Sequence, residues 1–314
     1  MMRHLGLSPI ALLLGVVLAL GCRNSGPQVE GSTTTTFTRD VAPILLRHCA
    51  ECHRPGEPAP FSLLSYDDAR QRARTIVTAV ERRVMPPWLP DEGTMPFAGE
   101  RRLTPQEIGT IRRWMDEGAV EGDPIAMPAL PHFAAGWRLG TPDLVVSLPS
   151  PYTLAAEGGD VWRNFVVPVP GEERRFVRTV EVRPGSKAVH HALIGVDPTR
   201  ASSRRDARDR EPGFDGMDMG DAQSPDGHLL GWTPGMAPFP GGEGHAWALE
   251  PDTDLVLQLH LMRTGKEESI APSIGLFFAA PPRVAPPLQL LRLDADDSID
   301  IPPGASDFTV SDTF

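Results

Sequence analysis

Hydrophobic positions recur along this chain with two periods, and the change from one to the other divides it. Between residues 37 and 123 the spacing is helical. Val41, Ile44 and Leu45 share a face behind Asp40, a candidate N-cap, with Pro43 tolerated in the first turn. Ser65-Tyr66-Asp67-Asp68 has the form of a capping box and opens a second stretch with Ala69, Ala73, Ile76, Val77, Val80 and Val84 on one side. Thr104-Pro105-Gln106-Glu107 opens a third, whose buried face is Ile108, Ile111, Trp114 and Met115 and whose stop is Gly118. A Pro-rich linker follows over 124–136, and then alternation takes over. Short Val- and Phe-rich runs at 144–148, 161–169, 176–182, 189–196, 255–262 and 274–279 are separated by Gly and Pro. That rhythm predicts an antiparallel sandwich over 137–304. The 197–244 stretch reads as a long polar loop or insertion.

Residues 1–22 carry Arg3, an apolar stretch and the ending Leu18-Ala19-Leu20-Gly21-Cys22. Pro9 and the short length disfavour a spanning helix, which needs about 20 apolar residues. The ending resembles a bacterial lipoprotein cleavage site. That resemblance implies that Cys22 is lipid-modified and that the protein is an exported lipoprotein of the periplasm or cell envelope, anchored to the membrane. An ordinary signal peptide is the alternative. Residues 23–36, with four consecutive Thr, form a polar tether. A net charge of −11 repels phosphate backbones and argues against a nucleic-acid partner. With 34 Pro and 30 Gly among 314 residues, a long-helix bundle is also disfavoured.

The other two cysteines stand in Cys49-Ala50-Glu51-Cys52-His53, a C-x-x-C-H pattern that signals covalent haem c. Each thiol can add to one porphyrin vinyl group, and His53 can ligate the iron. A thioredoxin-like redox pair would want a βαβ setting, and a zinc site would want a second Cys pair. The motif and its flanking helices resemble the cytochrome c fold over 37–123. This resemblance implies a second axial ligand, for which Met85 in Met85-Pro86-Pro87-Trp88 is the candidate and Met95 the rival.

Two predicted strands carry histidine: Ala188-Val189-His190-His191-Ala192 and Leu257-Gln258-Leu259-His260-Leu261. On the second, the leucines take one face and His260 the other, beside Gln258. Adjacent His190 and His191 would point to opposite sides of a regular strand, so both reach one metal only if the strand twists, bulges or ends at a rim. The two strands are similar to those of the N-terminal domain of copper type II, ascorbate-dependent monooxygenases, a family that includes peptidylglycine alpha-hydroxylating monooxygenase. That resemblance implies a jelly-roll fold and a copper held by His190, His191 and His260 for electron transfer. Zinc, which also accepts three imidazoles, would imply a hydrolase instead.

The whole is thus expected to be multi-domain: a small all-α cytochrome c domain followed by an all-β jelly-roll sandwich. An electron donor would feed haem c and then copper. Residues 305–314 look like the first strand of a second domain that would carry the oxygen-activating copper, so the chain reads as the electron-delivery portion of a longer monooxygenase. A cytochrome displayed on a metal-free or zinc-binding sandwich is the alternative.

Overall fold

The computed structural model describes residues 34–88, 90, 97, 99–133, 136–242, 244–281 and 299–310. Five α-helices appear in it: α1 (Ala42–His48), α2 (Tyr66–Gln71), α3 (Ala73–Glu81), α4 (Pro105–Asp116) and α5 (Ala201–Asp206). The strands are β1 (Leu144–Ser147), β2 (Tyr152–Leu154), β3 (Val161–Val167), β4 (Arg175–Arg183), β5 (Val189–Asp197), β6 (Phe214–Asp215), β7 (Leu230–Trp232), β8 (Trp247–Leu249), β9 (Asp254–Leu261), β10 (Glu268–Ile270) and β11 (Ser273–Ala279). They form a four-stranded antiparallel sheet, β1-β11-β4-β8, a five-stranded one, β6-β3-β9-β5-β7, and the pair β10-β2.

The alternating leucines of β9 explain why the larger sheet sits where it does. Leu255, Leu257, Leu259 and Leu261 are at most 1% exposed and share one apolar core with Ala192 and Ile194 of β5 and with Leu276 of β11. Truncating such a leucine to alanine costs about 2–5 kcal/mol. The opposite face of β9 is covered too. Gln258 is buried there and donates through Nε2 to Asn164 Oδ1 at 2.9 Å and to the Met217 carbonyl at 2.7 Å. The cover comes from the stretch expected to be a loop, which contains α5, β6 and β7. β5 ends at Asp197, whose carboxylate accepts bonds from both N–H and hydroxyl of Thr199 and of Ser202. Burial works against its charge, but those bonds outweigh it and pull its pKa down to about 2.

In the helical stretch, Thr104 and Glu107 form the reciprocal capping box at α4, and Gly118 follows its end at φ +96°. Asp40 does not cap α1. A π-helical turn from Phe37 precedes that helix, and Asp40 instead accepts the Thr36 N–H at 2.7 Å. Phe37, Leu45, Ile111 and Trp114 lie in a small apolar cluster.

The expected division into an all-α cytochrome c domain and an all-β jelly roll is not what the chain forms. Residues 35–314 make one compact unit in which antiparallel sheet dominates, and the helices, none longer than the 12 residues of α4, belong to it. The physical reason is direct contact. Arg138 pairs with Glu51 at 2.6 Å, Arg101 donates to the Gly235 carbonyl, and Cys52 packs on Gly235. Asp307–Val310 belongs to no strand, and 311–314 lie outside the described residues.

Candidate functional site

The register of two strand pairs assembles the histidines. β9 pairs with β5 so that His260 faces His191, and the next aligned pair is Leu261 with Val189. His190 is therefore the extra residue of a β-bulge, which turns it to the same side as its neighbour. Its Nδ1 lies 3.1 Å from His191 Nδ1 and 3.1 Å from His260 Nδ1. A single Nδ1 proton cannot serve both neighbours, whereas a shared cation can. All three candidate donor atoms lie within 4.8 Å of one another. Metal–imidazole bonds of about 2.0–2.1 Å in tetrahedral array would separate nitrogens by about 3.3 Å, close to what is found.

His260 is fixed by two residues that the sequence did not single out. Its Nε2 lies 2.9 Å from Asp160 Oδ2, so the ring N–H points to the carboxylate and the Nδ1 lone pair points to its neighbours. Trp162, paired with His260 across β3 and β9, stacks on its ring at 4.2 Å and 4° and meets His191 edge-on at 5.0 Å. Arg263 ties down the turn before Asp160 by donating to the Gly159 and Ala155 carbonyls. No local pattern marks Asp160 or Trp162, because only the register brings them to His260. Burial, followed by the two neighbouring imidazoles, lowers the pKa of His191 and favours the neutral, metal-binding form. His190 is exposed, His191 half-buried, and the His260 side chain is 12% exposed, so the cluster opens to solvent on one side. Three imidazoles gathered on one solvent-facing side suit copper or zinc.

The other predicted site residues are placed separately. Cys49 and Cys52 are not bonded to each other. Burial, with a contribution from Cys52, pushes the Cys49 thiol up to about 12, and burial also raises Cys52. Thiol–disulfide chemistry runs through a thiolate, which this setting opposes; a thioether has no proton to lose and no such penalty. His53 Nδ1 lies 3.1 Å from the Phe61 carbonyl, which places its proton there and leaves Nε2 as a ligand atom. By residue type alone, the Cys49–His53 loop offers the donors that covalent haem requires. Met85 is 40% exposed and lines a cavity of about 20 Å³ with Trp88, Leu103 and Ile108, and neither cysteine nor His53 lines it. Met95 and Cys22 lie outside the described residues. His228 and His245 take no part in the three-imidazole cluster.

The cysteine loop meets the sheets at Gly235. A Cβ there would come within 2.7 Å of the Cys52 sulfur, and φ is +77°, so glycine alone suits the contact. Three residues earlier, Trp232 of β7 pairs with Ala192, the neighbour of His191 on β5.

Among the described residues, no helix is long and apolar enough to cross a membrane. No family model matches the chain, and no curated protein matches it.

Proposed function

We propose that this chain is an exported electron-transfer protein that carries covalent haem c and a three-histidine copper, and that it serves as the electron-delivery portion of a copper-dependent monooxygenase. The observation that carries the reading is the bulge at His190, which turns two adjacent histidines toward His260 while Asp160 orients the third ring. Bound haem iron and copper would each supply one-electron redox chemistry. The chain's own residues do the rest. His190, His191 and His260 offer lone pairs, and Trp162 and Asp160 hold the His260 ring in place. His53 offers Nε2 to iron, and the thiols of Cys49 and Cys52 become thioethers. Met85 is proposed as the second axial ligand on the strength of the cytochrome resemblance. A lipid at Cys22 and an external electron donor complete the reading. The short run from Cys52 through Gly235 and Trp232 to β5 supports placing the two redox groups in one protein.

Copper titration of the full chain followed by EPR tests it. We expect one Cu(II) per chain with nitrogen ligands. His260→Ala should cost more affinity than the roughly 10–100-fold lost when only an outer partner is removed. Stoichiometric copper that ignores His260→Ala overturns the assignment. Zinc retained in preference to copper from the exported protein would move the reading to a hydrolytic site.

A further inference from the structure

A cavity of about 600 Å³ lies beside the three-imidazole cluster, bounded by β4, β5, β7 and the loop after Trp232. His191 lines it as well as the cluster. Its size falls in the range of about 300–1,000 Å³ typical of small-molecule sites. The walls are largely apolar, with Val180, Val182, Leu230, Trp232 and Phe239 among them. Phe239, which lines this space, is 68% exposed.

The charged groups around this space are not balanced. Arg138 is committed to Glu51 at 2.6 Å. The Glu181 carboxylate accepts backbone N–H groups of Arg138 and Leu139 at 2.8 to 3.0 Å. Arg178 is different: among the described residues it pairs with no carboxylate. One of its N–H groups donates to the Pro240 carbonyl at 2.6 Å, and the guanidinium lies 5.3 Å from the Phe277 ring centre. Among the described residues, its remaining donors have no partner. A planar guanidinium with free donors at an apolar wall matches a carboxylate or similar oxyanion carried on an apolar body.

We infer that this cavity binds a small organic anion, its apolar body against Val180, Leu230 and Trp232 and its oxyanion on Arg178. The inference does not rest on the proposed redox function, because neither the walls nor Arg178 requires a metal. It does place any bound molecule against His191, so occupancy and the metal cluster would share a side chain.

Isothermal titration calorimetry of the full chain with 1-naphthoate, and with its neutral isostere 1-naphthamide, tests this. We expect one naphthoate per chain, bound about tenfold more tightly than the amide, the scale of one charge-assisted hydrogen-bonded pair. Arg178→Gln should remove that preference while leaving amide binding unchanged. Met236→Trp puts a large ring at a residue that lines the cavity and should abolish binding of both probes, with thermal melting showing that the variant is folded. Equal affinity for the two probes in the unmodified chain overturns the inference, as does naphthoate binding that survives either substitution unchanged.

Discussion

The cysteine–histidine loop and the three-imidazole cluster are built by opposite means. Cys49, Cys52 and His53 lie within five consecutive residues, and the helical turn that follows α1 brings them together. His190 and His260 are 70 residues apart and meet through one strand pairing and one bulge. Asp160 reaches the cluster from a third position, 100 residues before His260. A local motif survives moderate changes elsewhere in the chain. A constellation set by register is lost whenever the register slips, since a shift of one residue turns His260 to the other face.

The largest effect should come from the local site. Replacing both Cys49 and Cys52 with serine should eliminate haem that resists acid-acetone extraction, because no thioether can form. Haem staining on a denaturing gel measures it, and colour retained by the double variant would break the proposed contrast. A smaller effect is expected at the tertiary site when its orienting residue is changed. Asp160→Asn should weaken metal binding about 10–100-fold without removing a ligand, since the amide no longer holds the His260 ring as a carboxylate does. Unchanged copper affinity would mean that the bulge alone positions the ring.

The smallest effect concerns the strand that carries two of the histidines. Asp197 closes β5 with a pKa held down to about 2. A carboxylate depressed in the folded state contributes its full stability above the unfolded value of about 3.9 and loses it as pH falls toward 2. Acid titration monitored by circular dichroism should therefore show a loss of stability across that window which Asp197→Asn removes. An identical acid profile in the variant would show that Asp197 contributes nothing to it.

Much of the local architecture could be read without coordinates. Thr104 starts its helix with the full reciprocal box, whereas Ser65 caps through the Asp68 N–H alone. The stretch behind Ser65 breaks at Arg72 into α2 and α3, leaving Val84 outside and exposed. The six alternating runs all contain strands. These depend on groups within one or two turns of chain, so short-range rules suffice. Asp40 misled because its carboxylate reaches back to Thr36 from inside a turn that starts earlier. The short strands β2, β6, β7, β8 and β10 fall outside those runs, because three residues or fewer carry too little periodicity to register.

What the sequence determined by itself is therefore the chemical inventory: a thiol pair beside a histidine, two histidine-bearing strands, and the apolar stripe of β9 that must be buried. Tertiary structure alone decided that helices and sheets join in one unit, that His190 bulges, and that Asp160 and Trp162 hold His260. The reason is physical. Strand register and surface contact are set by the summed packing of residues far apart in the chain, and no single stretch of sequence records that sum.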